Sequence, residues 1–325
     1  MGFAMTVLVT GVAGFIGSHV AEALLARDYA VTGIDNLNDY YDVRLKQARL
    51  ARLESRRGFA FKKIDFSDRE AMASLASGDF LHIVHLGAQP GVRYSLVNPY
   101  AYVTSNVMGH VTVLELARAL KNLRNVVYAS SSSVYGGNAK LPFAVGDAVE
   151  TPQSLYAATK RSDELISYTY AHLYGIPQVG LRFFTVYGPW GRPDMAPMLF
   201  ASAMLKGEAI PVFNKGEMWR DFTYIDDIVA GVLAAMEKPP HEKPPHKVYN
   251  LGNNKSEKLT DFIAALERAL GVKAAMRYEP MQPGDVVSTY ADIEESRHAL
   301  GFSPATPISV GVPKFATWYR EFYGV

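Results

Sequence analysis

The sequence predicts an α/β protein built on a doubly wound parallel sheet, with a smaller mixed α/β part in its second half. Short apolar runs alternate with helical patterns through the first half of the 325 residues, as in parallel strands joined by crossover helices. Several runs are apolar nearly throughout, which is typical of strands covered on both faces. The second half is less regular and richer in proline, which predicts a different organisation there.

Each predicted element follows from its own pattern, because apolar runs indicate buried strands and apolar residues at helical spacing indicate helices. The predicted strands span residues 6–10, 30–35, 59–65, 82–86, 126–130 and 179–183. The predicted helices of the first half span residues 18–27, 43–57, 69–75, 101–120 and 156–174. Those of the second half span residues 196–205, 225–236, 259–270 and 310–323.

The composition excludes several classes of protein. The 33 basic and 32 acidic side chains give a formal charge of +1, which argues against nucleic-acid binding because that function needs a basic surface. The chain has no cysteine, hence no disulfide, thiolate nucleophile or cysteine zinc site, and we expect no bound metal. No apolar run reaches the roughly 18 residues of a membrane-spanning helix, so we expect a cytoplasmic protein without membrane association. The basic residues crowded at 44–57 are interpreted as a solvated helix face.

A glycine-rich turn connects the first predicted strand to the first predicted helix. Its glycines are Gly11, Gly14 and Gly17, with Phe15 and Ile16 before the last of them. Glycine at these positions permits a tight turn, close approach of the backbone to a pyrophosphate and close helix packing. The helix N-terminus then offers unpaired N–H groups to the phosphates. The motif in this context predicts a dinucleotide site and a sheet of Rossmann type.

Asp35 and Asn36 end the second predicted strand, eighteen residues after the last glycine of the turn. A carboxylate there accepts hydrogen bonds from the adenosine ribose and repels a 2′-phosphate, so it favours NAD over NADP. The alternative is that Asp35 only caps the loop that follows it. Further cofactor contacts are predicted where the third and fourth strands end, at Asp65, Phe66, Leu86, Gly87 and Ala88.

These motifs divide the chain by expected role. Residues 1–180 are predicted to form the NAD-binding domain, which also receives later segments at about 215–255. Residues 181–325 are predicted to bind mainly the substrate.

Tyr156 and Lys160 are four residues apart, which places a phenol and an ammonium group on one face of a helix. Tyrosine is a weak base at neutral pH, and a nearby cation favours its phenolate form. Upstream, Ser131, Ser132 and Ser133 lie in a serine run at the carboxyl end of a predicted strand, the edge where ligands bind. A capped serine turn is the alternative reading of that run. Together the two motifs predict a reductase-like catalytic site.

The chain resembles the extended short-chain dehydrogenase/reductases, within them the nucleotide-sugar 4-epimerases, and most closely those acting on UDP-glucuronate. The stretches that carry the resemblance are GIDNLNDYYD at 33–42, GVRYS at 91–95, LRFFTVYGPWGRPDM at 181–195, RDFTYIDD at 220–227 and MQPGD at 281–285. It extends over nearly the whole chain. It implies reversible C4 epimerisation of UDP-glucuronate to UDP-galacturonate, through a transient 4-keto sugar and with tightly bound NAD.

The resemblance also implies roles for individual residues. Tyr156 corresponds to the catalytic base, Lys160 to its electrostatic partner and ribose ligand, Ser131 to the partner of the sugar O4, and Asn106 to a cofactor-supporting asparagine. The residues implied to bind substrate are Ser132, Ser133 and Thr185 at the carboxylate, Arg192 and Arg220 at the diphosphate or sugar, Asp285 at the uridine ribose, Val212 and Phe213 at the uracil, and Arg93 and Gln282 in the resembling stretches. Gln282 stands where many relatives have arginine, a departure shared by UDP-glucuronate 4-epimerases.

Alternative functions remain open at this point. UDP-glucuronate decarboxylases, which form UDP-xylose, usually have a glutamate at the position of Ser133, so its absence favours epimerisation. A neutral UDP-sugar 4-epimerase and a catalytically silent NAD-sensing protein are the other candidates. Helices 101–120 and 156–174 have apolar faces that could pair across a two-fold axis, and the family commonly dimerises in this way, so a homodimer is expected.

Overall fold

A computed structural model describes residues 5–282 and 285–325 of the chain. Its strands are β1 (Thr6–Thr10), β2 (Ala30–Asp35), β3 (Phe59–Lys63), β4 (His82–His85), β5 (Asn125–Ser131), β6 (Gln178–Phe183), β7 (Thr185–Tyr187), β8 (Ile210–Phe213), β9 (Trp219–Arg220), β10 (Phe222–Tyr224), β11 (His246–Leu251), β12 (Glu257–Lys258) and β13 (Met276–Glu279). Its α-helices are α1 (Phe15–Leu25), α2 (Val43–Glu54), α3 (Arg69–Ala73), α4 (Pro99–Tyr102), α5 (Gly109–Ala119), α6 (Leu155–Tyr174), α7 (Ala196–Leu205), α8 (Ile225–Glu237), α9 (Leu259–Leu270), α10 (Glu294–Leu300) and α11 (Ile308–Tyr323).

The central sheet has the strand order β11-β6-β5-β4-β1-β2-β3, seven strands within the described residues. All of its pairings are parallel. From β1 the chain proceeds outward to β2 and β3, and then returns to place β4 on the other side of β1. Ligands bind at the carboxyl edge of such a sheet, beside the point where the direction of winding reverses. The predicted Rossmann-type fold is confirmed.

The core lies on both faces of this sheet because the strand residues alternate between them. Val7 and Val9 belong to one buried apolar cluster together with α1 and α8. Leu8, between them, belongs to a second cluster that includes Val113 and Leu114 of α5. Each such side chain, when fully buried, stabilises the fold by about 1.5–3 kcal/mol.

Three two-stranded sheets of the described chain accompany the central one: β7 with β10, β9 with β12, and β8 with β13. They confirm the expected mixed α/β character of the second half. β6 spans Gln178–Phe183, so the predicted division at residue 180 falls within a strand. The division into two domains stays a prediction.

Each predicted strand and helix has a counterpart in the structure, with bounds that differ by up to three residues, and the second half contains further short elements that were not predicted. Two differences are instructive. The predicted helix at 101–120 is in fact α4, a π-helical segment Val103–Met108 and α5. The strand β11 was not predicted, because its sequence HKVYNL is half polar and follows a proline-rich loop. None of the described helices is both long enough and apolar enough to cross a bilayer.

The interpretation of residues 44–57 as a solvated face is wrong for two of the basic residues on α2. Lys46 and Arg49 are buried. The ammonium group of Lys46 donates to the backbone and side-chain oxygens of Asn38, at 2.7 and 2.8 Å. Arg49 lies against the loop after β7, which brings polar acceptors to a helix face that the sequence pattern alone presents to water.

Candidate active site

A cavity of about 830 Å³ lies at the carboxyl edge of the central sheet and extends toward the small sheets. Its walls combine the glycine-rich turn after β1 with side chains from the second half of the chain. A volume of this size suits ligands larger than a single small metabolite. The first half and the second half therefore contribute to one continuous site.

The glycine-rich turn forms one end of the cavity and leaves no room for side chains. A Cβ atom on Gly11 would lie 2.6 Å from the Cα of Gly87, and one on Gly17 would lie 2.2 Å from the carbonyl oxygen of Gly11. Gly11 also has φ of +66°, a region that L-residues rarely adopt. The N-cap of α1, Gly14, has no side-chain capping hydrogen bond. The first N–H groups of α1 are thus available to phosphate oxygens, and the turn fits a dinucleotide such as NAD.

Asp35 is held at the end of β2 beside that turn. Its carboxylate accepts hydrogen bonds from the backbone N–H of Ala13, at 3.2 Å, and of Leu37, at 2.8 Å. Burial raises the pKa of Asp35. The side chain lines the cavity, so the geometry permits the ribose contact that the sequence predicts and also contains the loop-capping contact of the alternative reading.

The remaining predicted cofactor residues differ in their placement. Asn36, Phe66, Leu86, Gly87 and Ala88 line the cavity. Asp65 does not line it; its carboxylate accepts hydrogen bonds from the side chain of Asn36, at 2.8 Å, and from Ser67, at 2.7 and 2.9 Å. Asp65 therefore holds Asn36 in place rather than facing the cavity.

Asn106, like Asp65, does not line the cavity but lies behind residues that do. Its side chain accepts a hydrogen bond from the backbone N–H of Gln89, at 2.8 Å, and donates to the Gln89 carbonyl and the Thr159 hydroxyl, at 3.1 and 3.0 Å. These bonds tie the chain after β4 to α6. A supporting position for Asn106 agrees with the supporting role that the resemblance implies.

Tyr156 and Lys160 project from α6 into the middle of the cavity. The N-terminus of α6 is fixed by Ser154, whose hydroxyl accepts a hydrogen bond from the N–H of Ala157 at 3.1 Å. The Lys160 ammonium group is buried. It donates to the Ala129 carbonyl at 3.0 Å and to the Asp163 carboxylate at 3.1 Å. A charged lysine is thus held one helical turn from the phenol.

Ser131, Ser132 and Ser133 also line the cavity. The hydroxyl oxygen of Ser131 accepts a hydrogen bond from the N–H of Ser133 at 3.1 Å and so caps the short turn after β5. The capped-turn reading is therefore correct, and it is compatible with a functional one because the same side chains face the cavity.

Three of the residues that the resemblance implies to bind substrate are arginines that line the cavity. Arg192 forms two hydrogen bonds to the Asp194 carboxylate, at 3.1 and 2.6 Å. Arg93 pairs with Asp285 at 2.9 Å, and its guanidinium lies 4.5 Å from the centre of the Phe213 ring. Arg220 donates to the backbone carbonyls of the residues at 219 and 287, at 2.8 and 3.1 Å.

Most predicted substrate residues line the cavity: Arg93, Thr185, Arg192, Phe213, Arg220 and Asp285. Val212 does not line the cavity. Its side chain is fully buried, because it points to the other face of β8 from its strand neighbours Pro211 and Phe213, which line the cavity. Gln282 does not line it either. The neighbours of Gln282 in the resembling stretch, Pro283 and Gly284, lie outside the described residues.

Three cavity residues that contact one another, Tyr40, Tyr94 and Asp194, are absent from the predicted site residues. The Tyr40 hydroxyl donates to the Asp194 carboxylate at 3.1 Å, and the ring of Tyr94 lies 4.9 Å from that of Tyr40. Tyr40 and Asp194 are far apart in sequence, so no local pattern connects them. The sequence feature that could have indicated them is the pair of consecutive tyrosines, Tyr40 and Tyr41, in the loop directly after Asp35, the predicted ribose-binding acid.

Comparison with known proteins defines the class to which this fold and site belong. Residues 7–252 match the model of the NAD dependent epimerase/dehydratase family, and the chain belongs to that family. It is 47% identical to UDP-glucuronate 4-epimerase 4 of Arabidopsis thaliana, over 98% of this chain and 76% of that protein. It is 45% identical to Protein CapI of Staphylococcus aureus, over 98% of this chain and 99% of that protein.

A solved structure gives the same picture in three dimensions. The UDP-glucuronic acid 4-epimerase of Bacillus cereus, in complex with UDP-glucuronic acid and NAD, superposes with a TM-score of 0.91 at 35% sequence identity. The match covers 98% of this chain and 100% of that one.

Proposed function

We propose that the protein interconverts UDP-glucuronate and UDP-galacturonate by reversible epimerisation at C4, with NAD tightly bound. The observation that carries this proposal is one cavity in which a dinucleotide cradle, Tyr156 with Lys160, and three arginines adjoin. The similarity to UDP-glucuronate 4-epimerases in sequence and in structure supports the choice of sugar.

The chain's own residues would hold the cofactor at the carboxyl edge of the sheet. The glycine-rich turn and the N-terminus of α1 bind the diphosphate, Asp35 binds the adenosine ribose, and Lys160 binds the nicotinamide ribose. Bound there, NAD would supply a reversible hydride acceptor for C4 of the sugar, which allows the hydride to be returned to the opposite face of that carbon. No net oxidation results, so the cofactor is not consumed.

Tyr156 is the proposed base that removes the proton from the sugar O4. Lys160, fixed by its hydrogen bonds to Ala129 and Asp163, lies one helical turn from the phenol and is placed to stabilise the negative charge that develops on it during proton transfer. Ser131 donates a hydrogen bond to O4 and so orients it toward the phenol. When the keto group is reduced again, Tyr156 returns the proton to O4.

The sugar carboxylate must survive this chemistry. A 4-keto uronate is a β-keto acid and loses carbon dioxide when its breaking C–C bond aligns with the carbonyl π system. Ser132, Ser133 and Thr185 line the cavity, and we assign them to hold the carboxylate out of that alignment with neutral hydroxyl donors. This arrangement favours epimerisation over decarboxylation.

We further propose that the protein acts as a homodimer in the cytoplasm. Apolar side chains project to solvent from the π-helical segment and from α6, including Val103, Met108, Leu165 and Leu173. Such a patch is typical of a subunit interface. The cysteine-free composition suits a reducing compartment.

The proposed function is tested by incubating the purified protein with UDP-glucuronate, without added NAD, and following the products by NMR. UDP-galacturonate is the expected product. Release of carbon dioxide with a UDP-pentose would instead identify a decarboxylase. Conversion of UDP-glucose but not of UDP-glucuronate would identify a neutral-sugar epimerase.

A further inference from the structure

Arg49 of α2 is fully buried, and its guanidinium group reaches two loops that are far apart in sequence. It donates to the carbonyl of Ala13 at 3.0 Å and to the hydroxyl of Tyr41 at 2.7 Å. It also donates to the carbonyl of Trp190, at 2.6 and 3.1 Å, and to that of Gly191 at 3.0 Å. Every nitrogen of the fork has an acceptor.

These acceptors belong to the two ends of the active site. Ala13 lies within the glycine-rich turn, and the side chain of Asp35 holds the N–H of the same residue. Trp190 and Gly191 directly precede Arg192, the cavity arginine that pairs with Asp194. One side chain therefore connects the proposed diphosphate loop of the cofactor to the loop that carries a proposed substrate arginine.

The substrate-side loop needs such a support. Trp190 has φ of +63°, a conformation that is strained for a bulky side chain and persists only where the surroundings impose it. Arg49 donates hydrogen bonds to the two consecutive carbonyls of Trp190 and Gly191. The position of the backbone just before Arg192 is thus fixed by a side chain from the half of the chain that is proposed to bind NAD.

Stability alone does not account for a cation at this place. The hydrogen-bond acceptors of Arg49 among the described residues are carbonyls and a phenol. The nearby Asp35 carboxylate interacts with Arg49 electrostatically but does not accept a hydrogen bond from it, and burying a charge without a hydrogen-bonded counter-ion is costly. The planar fork can, however, join several acceptors at fixed angles, which a lysine cannot do.

A second connection runs parallel to the first. The loop after β2 begins at Asp35 and carries two consecutive tyrosines. Tyr41 accepts from Arg49, and Tyr40 donates to Asp194 at 3.1 Å. The same loop therefore contacts the proposed ribose carboxylate at its start and the Arg192–Asp194 pair near its end.

We infer that Arg49 is a positioning residue that couples NAD binding to the binding of the nucleotide diphosphate. It fixes the glycine-rich turn and the Arg192 loop relative to each other, so that occupation of one site pre-orders the other. The inference rests on the proposed function only in taking a nucleotide diphosphate as part of the substrate. Coupling of this kind is reciprocal and typically amounts to a factor of about 5–150.

The coupling is measured as the rate at which bound NAD exchanges for isotopically labelled NAD, with and without saturating UDP. UDP serves as an unreactive probe of the diphosphate site. In the holoenzyme we expect UDP to slow the exchange at least about fivefold. In Arg49→Lys, which keeps the charge but not the fork, we expect the ratio to fall below about twofold and UDP to bind at least about fivefold more weakly.

Two further variants keep the test decisive. Arg52→Met is the matched control, because the Arg52 guanidinium lies 4.7 Å from the centre of the Trp190 ring and pairs with Glu22, with no hydrogen bond to a loop carbonyl in the part of the chain that the structure describes. Its exchange ratio should equal that of the unmodified protein. Tyr41→Phe removes one acceptor of the fork and leaves the cation in place, so it serves if Arg49→Lys does not fold, and its ratio should fall at least about twofold.

The outcomes separate this inference from the proposed function. A melting temperature that falls in Arg49→Lys while the exchange ratio is unchanged would show a purely structural role and overturn the inference, as would an absence of coupling in the unmodified protein. Coupling that depends on Arg49, in a protein that leaves UDP-glucuronate unchanged, would support the inference and refute the proposed function. Epimerisation with unchanged ratios in the variants would do the reverse.

Discussion

The substitution Gly17→Ala tests the dinucleotide cradle at its most crowded point. The added methyl group would lie 2.2 Å from the carbonyl oxygen of Gly11, the oxygen that accepts the N–H of Gly14 at 2.9 Å to close the turn. Relief of that contact requires the turn or the start of α1 to shift by roughly 1 Å, because non-bonded carbon atoms prefer separations of about 3.5–4.0 Å.

The two expected magnitudes come from different terms. Overpacking costs about 1–3 kcal/mol, and alanine regains about 1 kcal/mol over glycine within a helix, so the free energy of unfolding should fall by about 0–2 kcal/mol. Loss of one charge-assisted hydrogen bond to the cofactor phosphates costs about 1.5–3 kcal/mol. NAD affinity should therefore fall about 10–150-fold, since each 1.4 kcal/mol is a factor of ten.

The assay is the amount of NAD released when the purified protein is denatured, together with thermal unfolding in the presence and absence of added NAD. Gly146→Ala is the control, because a methyl group there would meet no atom within 4 Å. We expect Gly17→Ala to lose NAD during purification and Gly146→Ala to retain it. A full complement of NAD in Gly17→Ala, with an unchanged melting temperature, would refute the assignment of the turn.

Three further predictions address the base, the core and the interface. Tyr156→Phe should lower the epimerisation rate by about 10²–10⁴-fold with the NAD content unchanged; a rate near that of the unmodified protein would remove Tyr156 from the mechanism. Burial lowers the pKa of His85 to about 3, so below about pH 6.5 the unfolded chain binds a proton that the folded chain does not, and this residue should cost about 2 kcal/mol of stability between pH 7 and pH 5. Urea unfolding at the two pH values should show a smaller loss of stability in His85→Asn than in the unmodified protein. An equal loss in the two proteins would show that His85 is not the source of this pH dependence. Leu165→Glu should convert the proposed dimer to monomers by light scattering, whereas an unchanged mass would place the interface elsewhere.

The fold is predictable from the sequence where the local pattern of apolar residues matches the burial of their side chains. Val7, Leu8 and Val9 are apolar in succession because they serve cores on both faces of the sheet, and that pattern is visible without a structure. β11 is not visible in this way, since half of its residues are polar; its backbone pairs with β6, and its buried Asn250 side chain donates to the carbonyls of Phe143 and Asp292. Tertiary contact, not propensity, makes it a strand.

The same distinction applies to the site. The glycine-rich turn and the Tyr156–Lys160 pair are local motifs and were predictable from spacing. The burial of Arg49 was not, because the acceptors that compensate it come from residues about 140 positions away at Trp190 and Gly191. The pairing of Tyr40 with Asp194 is hidden for the same reason.

The most direct test of the central claim follows the hydrogen at C4. UDP-glucuronate labelled with deuterium at C4 is incubated with the protein in ordinary water, and the product is analysed by NMR and mass spectrometry. Removal and return of a hydride within one closed site predicts UDP-galacturonate that keeps the deuterium at C4. Product with ordinary hydrogen at C4, exchanged from the solvent, would contradict the account.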